Sequence, residues 1–200
     1  RQGLNIGILE NDFGAVNVDM MLLQELEGEQ CELEMISGGC DPETHRRRFS
    51  TKLIAMGMCG YDRVLVEPSG IYDMDEFFDV LHEEPLDRWY EIGNVIAVVD
   101  ARLEDALSPE AEYLLASQAA NAGCMILSKC DTATEEQRRN TIAHLKRSLT
   151  ALGCKQRADQ KVLCEGAEPL PDQDFAAILS CGYHIASYEK PDFAKGQAFE

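Results

Sequence analysis

Val64-Leu65-Val66-Glu67-Pro68-Ser69-Gly70 decides how the rest of this chain is read. Three apolar residues end abruptly in an acid, and a Pro-Ser-Gly turn follows. A strand buried on both faces of a parallel sheet reads as such a continuous apolar run. In open α/β sheets ligands collect beyond the carboxyl ends of the strands. An acid in that place, here Glu67, can hold a Mg²⁺ ion or its water. Gly70 lets backbone approach a phosphate with no Cβ in the way. Many strands end in an acid, so a second signal matters. Ser128-Lys129-Cys130-Asp131 closes another apolar run, Met125-Ile126-Leu127.

The remaining segments fall into the same alternation. Leu4–Leu9, Glu32–Ile36, Asn94–Val99, Lys161–Cys164 and Tyr183–Ser187 read as further strands, by period-two or continuous apolar patterning. Met20–Leu26, Phe49–Met58 and Asp73–Leu81 carry helical spacing, with Asp73 as an N-cap. Asp172–Leu179 reads as a short helix. Pro109–Ala122 is a helix with Ser108 at the N-cap, proline in the first turn and Gly123 as the stop. Glu135–Leu152 is a long helix closed by Gly153. Strands alternating with helices of this length predict an α/β fold, a parallel-rich sheet with helices on both faces. Residues 1–190 are expected to form one such domain. Periodicity is lost after Lys190, and 191–200 are expected to be a tail leading into something further.

Two hundred residues with a formal charge of −18 exclude some functions. Nucleic-acid phosphates would be repelled, so no nucleic-acid partner is expected. The one basic cluster, Arg46-Arg47-Arg48, reads as a solvated helix face. No apolar run approaches the ~20 residues that cross a bilayer, and no membrane partner is expected. Eight cysteines are scattered without a close CxxC pair, several in apolar surroundings. They read as reduced thiols in a cytoplasmic protein.

Three further groups carry chemistry. Glu10-Asn11-Asp12-Phe13-Gly14 follows the first strand; its two carboxylates can bind a divalent cation or orient water, or can belong to a polar turn bent at Gly14. Ser37-Gly38-Gly39-Cys40 can present a thiol to a soft metal, or Cys40 can be incidental there. In Ser128-Lys129-Cys130-Asp131, the Lys stem can lie over a purine while the Asp carboxylate accepts two N–H donors from a guanine edge. Adenine lacks that pair of donors. No nucleophile elbow and no GxGxxG occur.

Taken in order, these segments resemble the G3E family of P-loop GTPases, in its CobW-like metallochaperone branch. Glu10-Asn11-Asp12-Phe13-Gly14 with Val18-Asp19 is similar to the family's E-N-E-F-G-x-x-x-x-D segment. Ser37-Gly38-Gly39-Cys40 stands where the family has G-C-x-C-C. Glu67-Pro68-Ser69-Gly70 resembles its E-x-x-G motif, Val98-Val99-Asp100 its V-V-D strand end, and Ser128-Lys129-Cys130-Asp131 its N-K-x-D base reader. The likeness spans roughly residues 4–131. Ser128 replaces the family's Asn, and Cys40 is followed by Asp41-Pro42-Glu43 instead of a Cys pair. Either that metal loop has decayed or residues are absent from it. No G-x-x-x-x-G-K-[ST] occurs; the family places that loop just upstream of the opening strand, so a segment ahead of Arg1 is expected.

The resemblance implies a P-loop NTPase-like fold and a Mg²⁺-dependent GTPase. Its hydrolysis would accompany delivery of Zn²⁺ or another transition metal to a client metalloprotein, or metalloenzyme or cobalamin-related maturation. It implies that Glu67 works with Mg²⁺ or the attacking water and that Gly70 senses the γ-phosphate. Ser128, Lys129 and Asp131 would hold guanine, and Glu10, Asp12 and Cys40 would lie in the metal-binding region. The alternative is a non-hydrolysing metal- or protein-binding module on the same fold.

Overall fold

Short apolar runs become parallel strands in both halves of the chain, which divides into two compact units, Arg1–Glu91 and Ile92–Glu200. The computed structural model describes residues 3–12, 18–37, 42–68, 74–154, 161–168 and 170–188.

The first unit runs β1 (Ile6–Asp12), α1 (Val18–Leu23), a 3₁₀ turn at Gln24–Leu26, β2 (Cys31–Ser37), α2 (Pro42–Cys59), β3 (Arg63–Glu67), α3 (Met74–Leu81) and α4 (Leu86–Trp89). Its sheet has the order β2-β1-β3, and both pairings are parallel. Side chains alternate across a sheet, so Leu9 of β1 and Ile36 of β2 share a face. There they are buried with Phe49, Leu53 and Met56 of α2, Val80 of α3 and Leu86 of α4. The spacing of the three α2 residues, four then three, puts them on one helical face. Gly7 allows the helix to lie down on β1. A Cβ built there would stand 2.5 Å from Met56 Cε and 2.9 Å from the Tyr61 ring. The basic triplet of α2 is paired as well as solvated: Arg46 bonds Glu83 at 2.5 Å and Arg47 bonds Glu43 at 2.9 Å.

The second unit runs β4 (Ile96–Asp100), α5 (Pro109–Asn121), β5 (Cys124–Ser128), α6 (Glu135–Ala151), β6 (Lys161–Cys164) and α7 (Asp172–Ile178). The order is β4-β5-β6, again all parallel. Here the expected two-sided covering is visible. Ala97, Val99, Met125 and Leu127 are buried with Ala119 of α5 and Leu145 and Leu149 of α6. Cys124, Ile126 and Leu163 turn the other way, onto Ile178 of α7. Each Leu so buried contributes roughly 1.5–3 kcal/mol. Both long helices start on side-chain caps. Ser108 accepts from the Ala111 N–H at 3.2 Å. Thr134 and Gln137 form a reciprocal capping box, at 3.1 and 2.8 Å. Buried His144 joins α6 to α5, with Nε2 2.5 Å from Glu112 Oε1, and Ser148 donates to Glu112 Oε2 at 2.7 Å.

Three expectations are corrected. Tyr183–Ser187 is no strand: Tyr183 makes a single antiparallel bridge to Ala122. The segment is held instead by Asn121, whose carbonyl accepts from the His184 N–H and whose side chain accepts from the Ala186 N–H, at 2.9 and 3.1 Å. Helix α2 begins seven residues before Phe49, and α4 has no counterpart in the sequence reading. The N-cap expected at Asp73 lies outside the described residues. Among the described residues no helix is long and apolar enough to cross a membrane.

Candidate functional site

Parallel strands end together, so the residues that close them share one rim of each sheet. In the first unit, Glu10 of β1 is the register partner of Glu67 of β3 on one side and of Met35 of β2 on the other. The two carboxylates therefore stand at the same level and on the same face of neighbouring strands. Their surroundings differ: Glu10 is 2% exposed, and Glu67 is exposed. Asp12 ends β1 opposite Ser37, with its side chain outside the described residues. Cys40 and Gly70 also lie outside them. Among the described residues no group of three or more His, Cys, Asp or Glu is arranged to hold a metal ion.

In the second unit, Asp100 closes β4 and is the register partner of Ser128, which closes β5. The chain then turns sharply. Lys129 has φ +58°, in the left-handed region that a residue with a Cβ rarely enters. That turn sends its ammonium back across the rim to Asp100, with Nζ 2.8 Å from Oδ2. Arg102 grips the same carboxylate. Its backbone N–H donates to Oδ1 at 2.8 Å and its guanidinium reaches both oxygens at 3.2 Å. Hydrogen bonds from Arg102 and then Lys129 hold the Asp100 carboxyl well below the usual carboxylate range.

Asp131 follows two residues later, with an exposed side chain. Its backbone is packed against the turn after β6: a Cβ at Gly166 would come within 3.1 Å of Asp131 Cβ and 3.2 Å of its N. The loop between Lys129 and Asp131 is tied to that turn by the Cys130 N–H, which donates to the Glu165 carbonyl at 2.8 Å. Thr132 Oγ1 donates to the Lys129 carbonyl at 3.1 Å. Ser128 Oγ donates to the Val99 carbonyl at 3.4 Å.

Ser128, Lys129 and Asp131 thus come together at the carboxyl end of a buried strand. This rim offers a planar ligand an alkyl stem to lie against, an exposed carboxylate, within the field of Arg102, to accept N–H donors, and a close-packed wall at Gly166. Glu10 and Glu67 come together in the first unit. Sequence alone marks Asp100 as a strand end, and nothing local points from Arg102 or Gly166 to a loop about thirty residues away.

The family model described as CobW/HypB/UreG, nucleotide-binding domain, matches residues 1–155. Among curated proteins, the zinc chaperone YjiA of Escherichia coli (strain K12) is 26% identical over 146 residues. That match covers 69% of this chain and 44% of the relative, so the chain spans less than half of that relative's length. Among solved structures, the Zn(II)-bound YjiA GTPase from E. coli is similar with a TM-score of 0.49 and 16% identity, covering 98% of this chain and 70% of that one.

Proposed function

The chain belongs to the CobW/HypB/UreG nucleotide-binding family, and from that premise we propose that it binds and hydrolyses GTP in the service of metal delivery to a client metalloprotein. The observation that carries the base-binding part is the Ser128–Asp131 rim. An exposed carboxylate suits the two N–H donors of a guanine edge. Lys129, two residues before that carboxylate, holds a strained backbone conformation, and such strain gathers at functional sites. The Lys129 ammonium rests on Asp100, and Arg102 shares that anchor.

The phosphate end of the mechanism is assigned to Glu67 and Gly70. Glu67, an exposed carboxylate at a strand end, is the hard oxygen donor that Mg²⁺ or its water takes. Bound Mg²⁺ supplies neutralisation of the charge that develops on the phosphoryl oxygens. Glu67 orients the attacking water, and Gly70 responds to the γ-phosphate. Ser128 joins Lys129 and Asp131 in holding the base. The transition metal, zinc by analogy with the YjiA relative, is cargo and is assigned to Glu10, Asp12 and Cys40. Residues 1–190 are proposed to make up the GTPase domain. The cytoplasm is proposed as its setting, which suits seven described cysteines that are all free thiols.

Calorimetric titration of the full-length protein with Mg²⁺–GTP and Mg²⁺–ATP tests the base reading. GTP is expected to bind at least ~10-fold more tightly, because a site built to pair polar groups rejects the analogue that lacks them. Asp131→Asn removes charge-assisted hydrogen bonds worth about 1.5–3 kcal/mol and should erase the preference. Equal affinities for the two nucleotides in the wild type would end the reading.

A further inference from the structure

Two thiols stand beside the loop that carries Lys129 and Asp131. Cys130, between those residues, is buried, with its Sγ 3.3 Å from the Leu127 carbonyl. Cys164 closes β6 and is exposed. The sheet register brings them together, since Leu127 and Cys164 are partners on adjacent strands. Beyond the strand ends, Glu165 is bonded on both sides to the chain around Cys130. Its N–H donates to the Leu127 carbonyl, and its own carbonyl accepts from the Cys130 N–H, both at 2.8 Å. The Cys130 Sγ and the Glu165 N–H converge on the same Leu127 carbonyl, which sets the buried thiol beside the residue that follows Cys164.

The two sulfurs are chemically unequal. Burial, and then the neighbouring Cys164 thiol, pushes the Cys130 thiol up to about 11. An oxidant therefore meets Cys164 first, on grounds of exposure, and Cys130 is the resolving partner.

We propose that Cys130 and Cys164 form a dithiol–disulfide pair whose closure withdraws the 129–131 loop from the geometry that receives a base; the second half of this statement rests on the base-site reading above. The oxidant is a small-molecule disulfide such as oxidised glutathione. The Cys164 thiolate attacks one of its sulfurs, forming the mixed disulfide and releasing one glutathione thiolate, which takes up the proton that Cys164 gave. Cys130 then gives up its proton and attacks the Cys164 sulfur. The second glutathione leaves as thiolate and collects that proton. Two protein thiols are oxidised to one disulfide, and one glutathione disulfide is reduced to two thiols.

The loop has no slack with which to absorb this bond. A disulfide fixes the two Cβ atoms about 3.8 Å apart. On one side of Cys130 the backbone is already in the left-handed region, and on the other Asp131 is packed against Gly166. Drawing Cys130 toward Cys164 moves the residues on either side of it.

The test equilibrates the full-length protein in glutathione buffers of graded oxidation, traps free thiols by alkylation and maps peptides by mass. GTP affinity is titrated on the same samples. The expected result is a Cys130–Cys164 cross-linked peptide with GTP affinity lowered at least ~10-fold and restored by reductant. Linkage then requires GTP to shift the midpoint potential of the pair by the same factor, about 30 mV for tenfold. Cys164→Ser, a change at an exposed position, should keep its GTP affinity in oxidised and reduced buffers alike. Glutathione on Cys164 with Cys130 still open to alkylation would overturn the proposal. So would a disulfide that forms and leaves affinity unchanged. Reduced protein that binds no guanine nucleotide would overturn the base-site reading and the coupling with it, while the peptide masses alone still decide whether the pair closes.

Discussion

Replacing Lys129 by glycine should cost the fold almost nothing, and less than replacing it by alanine. Lys129 sits at φ +58°, where a residue with a Cβ is disfavoured by about 1–2 kcal/mol. Glycine removes that strain and adds about 0.5–1 kcal/mol of backbone entropy to be lost on folding. Either substitution also deletes the Lys129–Asp100 pair, whose side chains are 58% and 33% exposed. A pair that open to water is worth about 0–1 kcal/mol, and Asp100 retains Arg102. The glycine variant therefore stands between about 1.5 kcal/mol above and about 1 kcal/mol below wild type. The alanine variant keeps the strain and loses the pair, which leaves it below the glycine variant by up to about 1.5 kcal/mol. Urea unfolding followed by far-UV circular dichroism is the suitable assay, because the single tryptophan, Trp89, belongs to the other unit. Both variants should lose guanine affinity alike, since both lose the stem. An alanine variant more stable than the glycine variant would refute the reasoning, because it would mean that position 129 carries too little conformational strain for function to exploit.

Two further outcomes follow from other contacts. Burial raises the Glu112 carboxyl, but hydrogen bonds from Ser148 and His144 outweigh it and hold the group below its ordinary value. A carboxyl depressed in the folded state adds stability above its unfolded pKa, near 4.5, and loses it as pH falls through the folded value. The difference in Tm between wild type and Glu112→Gln should thus be full near neutrality and shrink below about pH 4.5; a difference constant across pH would refute it. Gly166→Ala puts a Cβ 3.1 Å from Asp131 Cβ. It should weaken GTP binding about tenfold, or 1.4 kcal/mol, with little change in Tm, and titration showing unchanged affinity would clear Gly166 of any part in the site.

Much of the fold is readable because burial imposes itself on residue type. Met125-Ile126-Leu127 is continuous and apolar since β5 is central and covered on both faces. Ser108-Pro109 announces its helix because a cap is a local bargain between one side chain and the first turn. Tyr183–Ser187 misleads for the opposite reason. Alternation records which side of the chain meets protein, and Asn121 supplies that meeting without a ladder. At the rim, single residues could be nominated from the end of an apolar run, but their companions could not. Arg102 lies 27 residues before Lys129, and Gly166 lies 35 residues after Asp131. Only the β4-β5-β6 register brings those numbers to one place, and register is a property of pairs of segments. The two thiols at 130 and 164 are hidden by the same arithmetic.

The capping box of α6 bears on binding thermodynamics. The five residues from Lys129 to Ala133 bridge a strand in which Cys124 to Leu127 are all buried and a helix whose first turn is closed by Thr134 and Gln137. A span anchored so firmly at both ends has surrendered its conformational freedom during folding, and an arriving ligand has little disorder left to suppress. Association there should show a small entropic penalty and fast docking, with affinity differences between ligands expressed almost wholly in how quickly they leave.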